Sequence, residues 1–449
     1  MRDTDHVATT LGIYRRLLSL APDSPALRLW DGSEHGPAGS TATLVLQHPG
    51  ALRSLLVPGT PLTAGEAYMY DDVDIEGDME AALRWAAGLE AIPRAVAARL
   101  ALHAMRLPAD HRRRNPQRPR PRGRIHTLAR DRHVVRHHYD TGNEFFSSFL
   151  GPTMVYSCAV FLDPDEPLDA AQARKLDLVC RKLDLAPGDR LLDVGCGWGA
   201  LVVHAARRYG VKAVGITLSE EQAAFARDRA AAAGVADRVE IRVQDYREVR
   251  GRFDAIASIG MVEHVGRSRL DDYFRILRSA LAPGGILLNH GIVDRSDTPV
   301  HARRRGFVGT YVFPDGDLVR LGHMIDTAER AGWEVRDVEP LRINYVLTLR
   351  RWVAALEQNR TQAVQAAGER VYRIWRLYMA GSALAFQQAG IGVHQVLLTD
   401  PARRWLHGRA SLLARDDRLG ETDLALDIRE LERLQLDDRG RSERVDLRE

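Results

Sequence analysis

The stretch Arg190-Leu-Leu-Asp-Val-Gly-Cys-Gly-Trp-Gly-Ala200 constrains the fold more than any other. Apolar and β-branched residues flank Asp193, and glycines then fall at 195, 197 and 199. This predicts a buried strand running into a tight turn, with Gly199 and Ala200 opening a helix. Glycine suits backbone at positive φ or in close approach to a ligand. The free N–H groups of a helix that starts at such a turn point at whatever binds there.

The surrounding chain alternates regularly. A helix from about Ala170 through Lys182 precedes the turn, and a helix from Ala200 to Tyr209 succeeds it. Strand Val211–Leu218 comes next, then a helix from Ser219 to Ala233 and strand Val239–Asp245. Strand Phe253–Gly260, a helix from Arg267 to Leu281 and strand Ile286–Ile292 complete the series. Alternation of this kind predicts an α/β fold with a doubly wound, mostly parallel sheet. Ligands of such sheets bind at the carboxyl ends of the strands.

Gly195-x-Gly197-x-x-Ala200 formally fits a dinucleotide fingerprint, which also asks for an acid ending the second strand. That strand ends instead in Thr217, Leu218 and Ser219, and Glu220 and Glu221 read as first-turn residues of a helix capped by Ser219. The pattern therefore favours S-adenosylmethionine, which lacks a pyrophosphate and carries an ammonium in need of oxygen acceptors.

Elsewhere the chain is less explicit. Residues 1–105 read as a small α+β domain: Thr41–Gln47 is strand-like, and Met79–Leu100 is helical with Pro93 dividing it. The acids between Leu62 and Asp78 lack EF-hand spacing and read as turns. Residues 106–128 form a linker rich in Pro and Arg, kept extended and solvated. It is either a plain spacer or a contact for anionic phospholipid, where each Lys or Arg gains roughly 1 kcal/mol. Without interleaved aromatics it offers nucleic acid no stacking platform, and a net charge of +3 gives no further reason to expect that partner.

Residues 129–400 hold the methyl-transfer domain, although 295–400 break the alternation. There Tyr311–Gly316 reads as a turn, and Leu318–Ala331 and Val364–Gln388 as helices. A charged helix and tail occupy 401–449. The adjacent His137 and His138 lack neighbouring ligands at metal spacing, so no metal site is expected. Three cysteines, without a CxxC pair, fit a reducing compartment. With no signal-like N-terminus and no run near the about 20 apolar residues of a bilayer span, a cytoplasmic protein is expected; were its substrate a lipid, it would reach it from the inner membrane surface.

With these motifs placed, residues 130 to 400 resemble the cyclopropane fatty acid synthase family, including mycolic acid and tuberculostearic-type fatty-acyl methyltransferases. The resemblance rests on His138-Tyr-Asp-x-Gly-Asn, Tyr156-Ser-Cys-Ala, Asp193-Val-Gly-Cys-Gly-Trp-Gly, Gly215-Ile-Thr-Leu-Ser-x-x-Gln, Ser258-Ile-Gly-x-x-Glu-His and Tyr378-Met-Ala-Gly-Ser. Gly65-Glu-Ala-Tyr-Met resembles the extra N-terminal domain of the longer synthases.

The resemblance implies transfer of a methylene or methyl group from S-adenosylmethionine to the double bond of an unsaturated phospholipid chain, through a carbocation. Orientation must supply much of the rate for so poor a nucleophile, and aromatic faces can stabilise the cation. Bicarbonate is the implied base, held by Cys158, Glu263, His290, Ile292 and Tyr378. The donor positions are Tyr156, Ser157, Asp193, Gly195, Gly197, Thr217, Gln222, Asp245 and Tyr246.

Glu144 and Ser382 stand where many synthases carry Asp and Cys, and the segments at Tyr311 and Tyr378 look like the methyl-branching subgroup. A cyclopropane and a methylene or methyl branch therefore both stay open. The branch would call for a reductase partner, and a homo-oligomer also stays open. The alternatives from other classes are a methyltransferase for a small soluble acceptor and a non-catalytic lipid-binding relative.

Overall fold

The computed structural model describes residues 2–21, 24–89, 91–109, 125, 127–128, 130–131, 141–296 and 305–403. Residues 110–124 of the basic linker, His138-Tyr139-Asp140 and the tail beyond Arg403 lie outside the described residues. The chain divides into two compact units.

In the first, a four-stranded sheet has the order β2-β1-β3-β4. Its strands are β1 (Ala26–Arg28), β2 (Glu34–His35), β3 (Ala42–Leu46) and β4 (Val73–Gly77). Leu27, Leu44 and Leu46 meet Ile13, Tyr14, Trp85 and Leu100 from the surrounding helices in one core. Pro93 separates the helices Met79–Leu89 and Arg94–Ala104 as the residue before the second. The acidic stretch after Leu62 is more ordered than its composition suggests, forming the helix Pro61–Met69 and then β4.

This unit also takes in 305–314 and Ala367–Ala385, which the sequence boundaries place in the methyltransferase domain. The reason is chemical. Glu66 is buried in the first unit and accepts a 2.7 Å hydrogen bond from the Tyr311 hydroxyl. Arg373 likewise reaches Asp71 at 2.8 Å, Asp74 at 3.0 Å and the Tyr68 carbonyl at 3.0 Å. Buried charges need such partners, and here they come from distant sequence.

The second unit is built on an eight-stranded sheet of order β11-β12-β9-β8-β5-β6-β7, with β10 pairing β9 at its end. The strands are β5 (Arg190–Val194), β6 (Lys212–Thr217), β7 (Val239–Val243), β8 (Phe253–Ile259), β9 (Leu281–Asp294), β10 (Val319–Arg320), β11 (Glu334–Pro340) and β12 (Ile391–Thr399). Strands β5 to β9 run parallel, and β12 lies antiparallel between β9 and β11. The order reverses between β5 and β8, a switch point of the kind that opens a ligand crevice.

The helices Leu168–Lys182, Ala200–Tyr209 and Glu220–Ala232 cover one apolar layer, and Leu270–Ala280 and Leu321–Arg330 the other. Differences from expectation fall late in the chain. A short helix, Phe307–Tyr311, leads into the turn expected from Tyr311 to Gly316, and β10 precedes the helix Leu321–Arg330. The helix expected over Val364–Gln388 is split, because Gly368 takes φ +84° between Arg360–Ala367 and Glu369–Gln387. The helix Arg342–Gln358 and the antiparallel strands β11 and β12 add to the pattern.

Candidate active site

The turn after β5 is fixed from below. The N–H groups of Gly195 and Cys196 both donate to the Ile216 carbonyl at 2.9 Å, tying the turn to β6. Gly199 at φ +78° precedes the helix Ala200–Tyr209, and a Cβ there would lie 2.8 Å from Ala226 Cβ. Gly197 at φ +51° differs: nothing stands within 4 Å of where its Cβ would be, so its backbone is open to a ligand.

At the end of β6 the Thr217 hydroxyl donates to Gln222 Oε1 at 2.8 Å, while the Ser219 hydroxyl accepts from Gln222 N. The capped helix thereby carries Gln222 to the strand end. Tyr156 packs against Phe146 and Trp352, with ring centroids 5.8 and 5.3 Å away. Asp193 is 3 % exposed, and burial pushes its carboxyl up to about 7, offset in part by Lys175.

Asp245, expected among the donor positions, stands at the end of β7 in a contact with Arg247. Its Oδ1 accepts from Arg247 N at 2.9 Å and Nε at 2.7 Å, and its Oδ2 accepts from Nη2 at 2.7 Å. Arg247 engages both oxygens, because a carboxylate buried at a strand end needs a cation. Tyr246 beside it is buried edge-on to Tyr273 at 5.5 Å, with its hydroxyl pushed up to about 12 by burial.

The other half lies at the ends of β8 and β9. Glu263, on the short helix Val262–Val265, accepts a 2.7 Å hydrogen bond from Ile292 N through Oε1. Its Oε2 is buried with no hydrogen-bond partner among the described residues, and burial pushes the carboxyl up to about 7. Gly291 makes this approach possible, since a Cβ there would fall 2.2 Å from Val262 Cγ1.

His290, two residues before Ile292 on β9, sits opposite Gln395 of β12. Its Nδ1 is 3.3 Å from Gln395 Nε2, which places the amide N–H as donor and leaves the imidazole proton on Nε2. Nε2 is buried without a partner among the described residues. Burial, then the charges of Lys175 and Lys182, pushes the imidazole down to about 3, so it is neutral. Glu263 thus carries an unsatisfied acceptor and His290 an unsatisfied donor among the described residues.

Cys158 is fully buried, its thiol directed to the carbonyls of Ala159 at 3.2 Å and Leu341 at 3.7 Å. Burial pushes the thiol well up, which excludes a thiolate nucleophile. Tyr378 belongs to the first unit, on the helix Glu369–Gln387, edge-on to Phe313 at 5.7 Å and Trp375 at 5.8 Å.

Sequence reasoning missed three buried polar side chains here. Arg229 ties Trp198, Pro152 and Thr153 carbonyls together at 3.2, 2.8 and 2.9 Å. Gln395 orients His290, and Lys175 donates to the Ser157 hydroxyl at 3.0 Å. Each stands in a segment whose composition resembles solvent-facing helix or apolar strand.

The doubly wound sheet, the glycine turn at its switch point and the acceptors around it define a methyltransferase of the S-adenosylmethionine-dependent class. Residues 126–396 match the family described as mycolic acid cyclopropane synthetase, and the chain belongs to it. It is 39% identical over 381 residues to a probable fatty acid methyltransferase of Pseudomonas putida, covering 84% of this chain and 91% of that one. It is 36% identical over 267 residues to the cyclopropane-fatty-acyl-phospholipid synthase of Escherichia coli K12, covering 59% and 67%. Among solved structures it is similar to the mycolic acid cyclopropane synthase CmaA1 complexed with SAH and CTAB. That match has 35% identity and a TM-score of 0.57, covering 60% of this chain and 98% of the other. The chain is an enzyme, and S-adenosylmethionine is its methyl donor.

Proposed function

We propose that this enzyme adds a donor-derived carbon to the double bond of an unsaturated acyl chain in a membrane phospholipid, with bicarbonate as the base. The observation that carries the reading is that Glu263 Oε2 and His290 Nε2 are each buried without a hydrogen-bond partner among the described residues. Burying polar atoms without partners costs about 1–3 kcal/mol each, so their retention points to a small polar guest.

The donor supplies an electrophilic sulfonium methyl, and the residues around the turn suit it. Gly197 leaves the backbone open, Gly195 takes the positive φ of the turn against Met261, Thr217 and Gln222 present polar groups at the strand end, and Asp193 would be an oxygen acceptor for the ammonium. Tyr156, Ser157, Asp245 and Tyr246 complete the donor site in this reading. Attack by the alkene leaves a cation on the acyl chain, and loss of a proton from the added methyl discharges it.

For bicarbonate, neutral His290 would donate from Nε2 and Ile292 and Cys158 would contribute backbone groups. Glu263, with its carboxyl near 7, can share a proton with the anion instead of repelling it. Tyr378 is the fifth residue of the proposed set.

Deprotonation of the methyl with ring closure gives a cyclopropane. A 1,2-hydride shift that first moves the cation to the methyl-bearing carbon, followed by the same deprotonation, gives a methylene branch, which a partner reductase would convert to a methyl branch. Among the described residues no helix is long and apolar enough to cross a membrane. The Pro/Arg-rich segment around Arg112–Arg124 is proposed to meet anionic headgroups at the inner membrane surface.

Incubation with labelled donor and unsaturated phospholipid vesicles, in parallel with free small acceptors, tests the reading. Label is expected in the acyl chain only. Label in a soluble acceptor, or no donor turnover with any olefinic lipid, would overturn it.

A further inference from the structure

Lys175 lies on the helix Leu168–Lys182 and is 1 % exposed. Its only hydrogen bond among the described residues is to the Ser157 hydroxyl, a neutral acceptor, at 3.0 Å. No carboxylate among the described residues forms an ion pair with it. Lys182, on the same helix and also buried, shows what a structural lysine looks like here. It pairs with Glu339 and lies 3.5 Å from Asp337. An ammonium carries three donors, and burying one without a counter-ion is costly.

We propose that Lys175 binds an oxyanion of the carboxylate class at the junction of the donor and base sites. The anion is either the carboxylate at the methionine end of the donor or the bicarbonate of the proposed reaction, and the second source rests on that reading.

The surroundings support this placement. Ser157 and Cys158 are neighbours, the first assigned to the donor and the second to the base. Gln172, one turn before Lys175, donates to the Ser157 carbonyl at 2.9 Å and so holds the same segment. Its own Oε1 is buried without a partner among the described residues. Burial pulls the Lys175 ammonium down to about 8, and Cys158 and Asp193 pull it back only in part. An arriving oxyanion would satisfy the free N–H groups and offset the cost of burying the charge. Burial first, and the charge of Lys175 after it, push the His290 imidazole down, so the two groups sense one another.

The test is Lys175→Met, titrated with S-adenosylhomocysteine and with 5′-methylthioadenosine, which lacks the amino-acid end, and assayed against bicarbonate concentration. If the donor carboxylate is the partner, affinity for S-adenosylhomocysteine falls roughly 10- to 100-fold while that for methylthioadenosine holds within about twofold. If bicarbonate is the partner, S-adenosylhomocysteine binds as before and half-maximal turnover needs roughly 10- to 100-fold more bicarbonate. Unchanged behaviour toward both, or equal loss of both nucleosides, overturns the proposal.

Should the variant not fold, a crystal structure of the wild-type enzyme with S-adenosylhomocysteine and bicarbonate decides. An anionic oxygen within about 3.2 Å of Nζ is expected, and an Nζ facing only protein and water refutes it. Wild-type turnover that ignores bicarbonate would defeat the base assignment alone and leave the donor arm standing.

Discussion

Replacing Glu263 by Gln should make the enzyme more stable and nearly inactive. The amide keeps an oxygen for the 2.7 Å hydrogen bond from Ile292 N and fills the same volume, so packing is preserved. What changes is charge. The folded carboxyl is held near 7, above its ordinary 4.5, because burial disfavours its ionised form. Folding therefore takes up a proton between these values, and wild-type stability falls as pH rises through that window. Each pH unit of difference is worth about 1.4 kcal/mol. The variant lacks this cost, so its advantage should grow from near zero below pH 4.5 to about 3 kcal/mol above pH 7.

Turnover should meanwhile fall by roughly 10²- to 10⁴-fold, the range for removing a proton-transfer group. Denaturant melts at pH 5 and 8, with turnover on unsaturated phospholipid, read both quantities. A variant that is less stable at pH 8 contradicts the burial argument. One that keeps its turnover contradicts the catalytic assignment.

Other substitutions separate binding from folding. Gly197→Ala places a methyl in open space, so it should cost only about 1 kcal/mol in a denaturant melt while weakening S-adenosylhomocysteine at least tenfold by calorimetry. Gly199→Ala, meeting Ala226 at 2.8 Å, should lose about 2 kcal/mol or more in the same melt. Gln395→Glu should move the His290 proton to Nδ1, seen in imidazole ¹⁵N shifts, and reduce turnover about tenfold or more; Nε2 protonation persisting in this variant would refute the tautomer argument. His290→Asn removes a group that stays neutral in the fold down to about 3 but protonates near 6.5 when unfolded. Wild type should therefore lose stability relative to this variant as pH falls from 6 to 4, by about 1.4 kcal/mol per pH unit in paired melts.

The turn at Gly195–Gly199 and the strands around it are legible in the sequence because two local signals agree there. Buried parallel strands read as short apolar runs, and glycines mark backbone at positive φ. The Ser219 cap and the Pro93 break are equally local. What escapes is long-range. Val-Leu-Leu in β12 has no sequence mark of its antiparallel place between β9 and β11. Nor does anything near Glu66 reveal that Tyr311, 245 residues away, satisfies it.

The site divides the same way. Glu263 and His290 are singled out in the sequence by the family resemblance, but the groups they contact are not. Gln395 matters because register puts it opposite His290, and Lys175 because one face of a charged helix is buried against Ser157. A charged residue in a helix ordinarily reads as solvent-facing, so only the packed structure exposes these two. Asp245 stands at a strand end that the sequence marks, but its contact with Arg247 is again seen only in the packed structure.

The most direct test of the central claim tracks the hydrogens of the transferred carbon. Cells expressing the enzyme, grown with methionine carrying a fully deuterated methyl group, would have their phospholipid acyl chains examined by mass spectrometry. If the added methyl loses a proton to a base held by Glu263 and His290, the new carbon retains two of its three deuteriums, as cyclopropane or as branch. Retention of all three, or label confined to the headgroup, would contradict the account.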